Sequence, residues 1–266
     1  MRLGPATMIL AVMAAVSGPA IAASCGNSAA GFDAWKQSFA AEAAREGVGQ
    51  RGQAALLGTS YAQATINADR NQRSFKLSYG EFCRKRGCDV IARQGRQRKA
   101  QRPNFYASLE RVYGVPAGVI IAIHGMETGF GRFMGDSNVL NATATLAYDC
   151  RRPDFFRPHL IGALKMIDLG MMSSGTIGAK HGELGHTQFL PGNALRYGTD
   201  ANGDGRVDLT NQTDALASTA NFLRQKGWRA GQDYQPGSRN FEVLQEWNAA
   251  SVYQRALAEM GAKIDG

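Results

Sequence analysis

Histidine and cysteine are scarce in this chain, with four of each among 266 residues. The scarcity removes whole classes of chemistry. His181 and His186 stand five apart with Glu183 between them, which is not the four-residue spacing of a His-Glu-x-x-His zinc helix. The cysteines are widely and unevenly spaced, and no Cys-x-x-Cys pair prepares a tetrahedral zinc site. There is no Gly-x-Ser-x-Gly elbow and no glycine-rich phosphate loop. Strand-period alternation is missing, as are internal repeats, low-complexity tracts and long linkers. Beyond the first residues, nothing is apolar for long enough to suggest a membrane span.

Acidic residues are also in deficit: 22 against 30 Lys and Arg, for a formal charge of +8. The excess is concentrated in Arg84-Lys85-Arg86 and in Arg93, Arg96, Arg98, Lys99 and Arg102. Such a surface concentrates anionic polymers. Residues 1–22 read as a secretory signal: Arg2, an apolar centre over Met8 to Val16, and the small-residue cleavage site Ala20-Ile21-Ala22. An exported protein meets nucleic acid rarely, so the expected partner is a cell-wall polymer with free carboxylates, not nucleic acid. Residues 22–24 lack the aliphatic residue that opens a lipid-attachment box, so a lipid anchor on Cys25 is the weaker alternative to a soluble periplasmic monomer. Four cysteines in an oxidising compartment suggest two disulfides, with three possible pairings. The small loop from Cys83 to Cys88 favours the pairing that also joins Cys25 to Cys150.

What is present is helical periodicity. Phe32, Trp35, Phe39 and Ala43 define one apolar face over 32–47, stopped by Gly47. Short helices and turns follow over 50–80. One or two basic helices cover 81–113, interrupted near Arg102-Pro103. Pro116 starts an apolar helix running to Glu127. Further helices are expected over 153–170, with Phe155, Leu160, Leu164 and Ile167 on one side, after Pro191, from Asp214 to Gly227, and over 250–262. The fold class is mainly α, with at most a small hairpin.

Four segments carry candidate chemistry. Glu127 ends the run Val119-Ile120-Ile121-Ala122-Ile123 and precedes Thr128-Gly129-Phe130-Gly131. A carboxyl at the end of a buried run is desolvated, its pKa rises, and it can serve as a general acid near neutral pH. Gly182 to Pro191 offers close backbone approach and the amide of Gln188, suited to sugar hydroxyls or acetamides. Asp200, Asn202 and Asp204 take positions one, three and five of an EF-hand-like loop with Gly205 at six; position twelve is Asn211, so Asp214 closes a fifteen-residue loop instead. Glu246 to Tyr253 sets an aromatic, an amide and a tyrosine at helical spacing. His124 reads as a buried or cleft-edge residue.

In order and spacing, these segments resemble the B-type lytic murein transglycosylases. The resemblance is carried by Tyr113-Gly114-Val115-Pro116, Glu127 to Gly131, Ala144-Thr145-Leu146-Ala147-Tyr148, Gly185 to Pro191, Asp200 to Leu223, Gly227-Trp228 and Trp247-Asn248 to Tyr253, over roughly residues 30–262. It implies a lysozyme-like catalytic core with additional helical regions, and Glu127 as the single catalytic acid/base. It implies saccharide contacts from Gln188, Asn248 and Tyr253, with His186 standing where some members carry tyrosine. It implies structural calcium on Asp200, Asn202, Asp204, the Arg206 carbonyl and Asp214, and no organic cofactor. The implied reaction cleaves the MurNAc-GlcNAc β-1,4 bond and leaves a 1,6-anhydromuramyl end. A hydrolytic muramidase and a non-catalytic murein-binding scaffold are the rival readings. The expected organisation is a signal peptide over 1–22, an N-terminal helical region over 23–112 packing on the core, and a transglycosylase region over 113–262 that contains the loop at 200–214.

Overall fold

A computed structural model describes residues 25–71 and 77–266. The export signal expected over 1–22 lies outside these residues. Within them the chain is mainly α-helical. Six helices come first: α1 (Phe32–Arg45), α2 (Gln50–Leu57), α3 (Gln63–Arg70), α4 (Tyr79–Arg86), α5 (Cys88–Gln101) and α6 (Pro103–Tyr113). They are followed by α7 (Ala117–Thr128), α8 (Val139–Tyr148), α9 (Pro153–Asp168), α10 (Pro191–Tyr197), α11 (Gln212–Gln225), α12 (Arg239–Trp247) and α13 (Ser251–Asp265). Among the described residues no helix is long and apolar enough to cross a membrane.

The centre of the molecule is α7. It is apolar all round, and every residue from Ala117 to Met126 is buried. Such a helix must be covered on all sides; α13 and α5 do most of this, with α6 and α11 completing the sleeve. Gly118 is needed at the closest approach, because a Cβ there would lie 2.2 Å from the Gly261 carbonyl oxygen of α13. Towards the N-terminus, Trp35 of α1 stacks between Phe32 and Phe39, and Tyr148 of α8 meets Phe32 edge-on and Trp35 at a tilt. The N-terminal helices therefore continue the same apolar core.

Three sequence expectations are corrected. Periodicity puts Phe155 on the inner face of α9, but Phe155 is 50% exposed and its neighbour Phe156 is buried. Phe156 stands four residues before Leu160 and so shares its face of the helix, whereas Phe155 stands five before it and falls off the buried stripe. The only strand pair among the described residues is not a hairpin: β1 (Ser137–Asn138) pairs antiparallel with the distant β2 (Ile177–Gly178). Helix α8 is absent from the periodic reading because it is buried almost throughout and carries no polar stripe. Helix α12 is absent from it as well, although Val243 and Leu244 mark a buried side.

Two bridges join Cys25 to Cys150 and Cys83 to Cys88. Next to Cys150 lies a charged knot. Asp69, only 2% exposed, pairs with Arg70 at 2.7 Å and with Arg151 and Arg152. Arg70 reaches on to the buried Asp149 at 2.7 Å. Burial alone would raise the Asp69 pKa, but hydrogen bonds from Arg151 and Arg152 outweigh it and hold the carboxyl below its ordinary value. The knot fixes the entry to α9, and with it the groove wall formed by Arg152, Phe155 and Phe156.

Candidate active site

Glu127 occupies the last turn of α7, half-buried. The helix stops one residue later because Gly129 adopts a left-handed conformation, φ 57°, and Phe130 follows at φ 66°. The amides of Gly129 and Phe130 return to the carbonyls of Gly125 and His124, a tight C-terminal lock. A positive φ is costly for phenylalanine. It is held here by burial against Gly125 and by the Arg98 guanidinium over the ring at 4.3 Å.

Two residues from the far end of the chain grip the carboxyl. Trp247 Nε1, at the end of α12, donates to Glu127 Oε1 at 3.0 Å, and the Tyr253 hydroxyl of α13 donates to the same oxygen. The indole is wedged edge-on between Phe189 and Phe222, with ring centroids 5.2 and 5.3 Å away. Oε2 has no protein hydrogen bond among the described residues. Burial raises the Glu127 pKa; the bonds from Tyr253 and Trp247 and the charge of Arg86 oppose this without cancelling it, and the Glu183 charge adds to the rise. The Tyr253 phenol is itself pushed far up by burial and by the neighbouring carboxylate.

Glu127 lies where two cavities of about 540 and 340 Å³ meet. Arg86, His181, Glu183, Leu190, Trp247 and Asn248 line both. Phe155, Phe156, Arg152 and Tyr253 extend the larger one, and Gln188 and Asn193 the smaller. The result is an elongated groove with a carboxyl at its waist and aromatic, amide and cationic groups along its walls.

The structure gathers Glu127, Gln188, Asn248 and Tyr253 into this groove. Gln188 is held at φ 55°, its side-chain amide donating to the Gly185 carbonyl at 2.8 Å. Asn248 uses its side-chain oxygen to cap the Ala250 amide at 3.0 Å. Tyr253 is 3% exposed, and its hydroxyl is engaged by Glu127. His186 lines neither cavity; its Nδ1 faces His124 Nε2 at 3.0 Å behind α7. His124 is fully buried, which lowers its pKa to about 3, so it stays neutral. Sequence reasoning overlooked Arg86, Arg152, His181 and Glu183 as groove residues. Arg86 stands in a basic cluster whose sequence signal is long-range attraction of an anionic polymer, not a place in the site, and Glu183 stands in the middle of a histidine spacing that fits no metal motif.

The loop over 200–214 wraps its own carboxylates. Asp200 accepts from the amides of Gly203, Asp204 and Gly205, and the buried Asp214 from those of Ala201, Asn202 and Asp208. Asn202 and Asp204 accept from the amides of Asp204 and Arg206. All the side-chain donors are hard oxygens, the type a calcium ion prefers. Even so, among the described residues no three His, Cys, Asp or Glu side chains converge closely enough to define a metal site.

A helical core that buries one helix and suspends a carboxyl at the waist of a long groove defines a lysozyme-like protein. Residues 31–236 match the transglycosylase SLT domain, and the chain belongs to that family. Membrane-bound lytic murein transglycosylase B of Escherichia coli K12 is 37% identical over 123 residues, 46% of this chain and 34% of that protein, so the match spans about a third of the curated relative. SltB3 of Pseudomonas aeruginosa, solved in complex with NAG-anhNAM-pentapeptide, superposes with a TM-score of 0.79 at 28% identity, covering 88% of this chain and 80% of that one. Slt35 of Escherichia coli, solved in complex with calcium, shares the fold at 22% identity and a TM-score of 0.74, covering 86% of this chain and 92% of that one.

Proposed function

We propose that this protein is a peptidoglycan lytic transglycosylase, acting in the periplasm on the MurNAc-GlcNAc β-1,4 bond and leaving a 1,6-anhydromuramyl end. The observation that carries the reading is Glu127: a carboxyl with a raised pKa, anchored through one oxygen where two cavities of about 540 and 340 Å³ share a wall. The relationship to SltB3, whose structure holds NAG-anhNAM-pentapeptide, supports it.

The chemistry follows from the carboxyl. Protonated Glu127, with Oε1 held by Trp247 and Tyr253, gives its proton to the bridging oxygen as the C–O bond breaks. The carboxylate then takes the proton of the muramyl 6-hydroxyl, whose oxygen closes on the anomeric carbon. No water is consumed. Gln188 and Asn248 supply amides for sugar hydroxyls and acetamides, and Arg86 and Arg152 supply positive charge for the carboxylates of the polymer. Mass spectrometry of fragments released from purified sacculi tests the reading. Anhydro products lighter than hydrolysis products by one water are expected; reducing ends alone point to a muramidase, and no soluble fragments to a scaffold.

The grip on Glu127 makes a pH prediction. The Tyr253 bond lowers the Glu127 pKa, so Tyr253→Phe raises it further. Activity needs the protonated acid and falls as pH rises through that pKa. The alkaline limb of the pH-rate profile therefore moves to higher pH in Tyr253→Phe, while kcat drops about tenfold as the carboxyl loses an anchor.

We also propose that the 200–214 loop takes calcium through Asp200, Asn202, Asp204, the Arg206 carbonyl and Asp214, as its oxygen-only donors suggest. A ligand that binds only the folded state raises Tm with its concentration. Chelator-treated protein is expected to melt several degrees below protein in millimolar calcium, and equal melting points would remove the proposal.

A further inference from the structure

Glycosidic cleavage commonly employs two carboxyl groups, whereas the reading above uses one. The groove holds a second. Glu183 lines both cavities together with Glu127. Its backbone is pinned on both sides: the Glu183 carbonyl accepts from the Ala179 amide at 2.8 Å, and Leu184 exchanges two backbone hydrogen bonds with Phe189. Gly182 packs so tightly on Thr143 that a Cβ there would lie 2.2 Å from the hydroxyl. The side chain is 26% exposed and accepts from the His181 amide at 3.2 Å.

A buried structural carboxylate normally has a close cation. Among the described residues Glu183 has none within 4 Å except His181, whose Nδ1 is 3.8 Å away and whose pKa is lowered by burial. Asp69 shows the contrast, with three arginines on one carboxylate. Burial raises the Glu183 pKa, with backbone amides and the Arg152 charge opposing it, and the Glu183 charge in turn raises that of Glu127, so Glu183 is the first of the two to ionise. It is a carboxyl on a pinned backbone that lines the same groove as the proton donor. The missing positive charge is one the reaction itself creates.

We propose that Glu183 is a second catalytic carboxyl, whose anion stabilises the positively charged sugar formed as the glycosidic bond breaks. The inference rests on the transglycosylase reading above. The bond's electron pair leaves with the bridging oxygen, which takes the Glu127 proton, and the anomeric carbon is left electron-deficient. Glu183 lowers the energy of that state without forming a bond. The 6-hydroxyl oxygen then supplies the electron pair that closes the ring and returns its proton to Glu127. Glu183 also acts on its partner, since its charge helps raise the Glu127 pKa. The groups facing the pair are Tyr253, Trp247 and Arg86 around Glu127, and His181 and Arg152 around Glu183.

The test compares wild type, Glu183→Gln and Glu183→Asp on uncross-linked peptidoglycan strands, with kcat, KM, pH-rate profile and Tm measured for each. Glu183→Gln is expected to lower kcat about 10²-fold with KM within about threefold, and to move the alkaline limb to lower pH because Glu127 loses a neighbouring negative charge. Glu183→Asp restores the charge and recovers part of kcat and the wild-type limb. If Glu183→Gln melts far below wild type, the pH-rate profiles are compared at a temperature below both melting points, where both proteins are folded. Near-wild-type kcat in Glu183→Gln overturns the inference while leaving the transglycosylase reading intact. A lowered kcat with an unmoved limb also overturns it, since that is the signature of a merely structural residue. No digestion by the wild-type protein removes both.

Discussion

Glu127→Gln is expected to lower kcat for glycan-strand cleavage by about 10³–10⁴-fold, the upper part of the range for loss of a general acid, while the protein remains folded and still binds peptidoglycan. The change keeps the size and the hydrogen-bond acceptor. Glutamine Oε1 can still receive the bonds from Trp247 and Tyr253 that the carboxyl receives now. Only the transferable proton is lost. The variant is also expected to become more stable relative to wild type as pH rises. A carboxyl whose folded pKa is raised contributes stability that is lost as pH climbs through that pKa, and glutamine has no such loss. Activity assays on sacculi combined with melting curves at several pH values check both halves. Turnover near wild type would remove the assignment of Glu127 as the acid.

The second large effect concerns stability. Asp69→Asn is expected to destabilise the fold by about 3 kcal/mol, the lower end of the cost of leaving a buried pair uncompensated. The low end applies because Arg70, Arg151 and Arg152 are 38–46% exposed and water screens part of their charge. At about 2–4 °C per kcal/mol for a domain of this size, Tm should fall by roughly 6–12 °C. The same network makes the wild-type fold acid-sensitive. The Asp69 pKa is depressed, so its stabilisation is present above the ordinary carboxyl range and is lost as pH falls through the depressed value. Asp69→Asn should therefore show a flatter loss of Tm on acidification. Because Arg152 lines the groove, the variant is expected to lose some activity at temperatures well below its melting point. A Tm within about 2 °C of wild type would mean the knot contributes little.

Both effects depend on residues far apart in the chain. Trp247 lies 120 positions from Glu127, and Arg152 lies 83 from Asp69. This separation marks the limit of what sequence reasoning reached. Helical periodicity located α1, α9 and α11, because each has a dry face and a wet face. It did not mark α8, which is dry nearly all round, and it mis-phased Phe155 by one residue. At the site, the composition around Glu127 was enough to propose a desolvated acid. Glu183 was not legible, since a lone glutamate between two histidines looks the same whether it faces solvent or a groove.

The sequence by itself determined the helical class, the dry central helix ending at Glu127 and the glycines that let the chain turn there, since these depend on neighbours three or four residues away. Only the tertiary structure decided which oxygen of Glu127 is held, by Trp247 and Tyr253, and that Glu183 shares its groove. Those arrangements arise from long-range packing of α7, α12 and α13, and a carboxyl's protonation is governed by the water that such packing excludes.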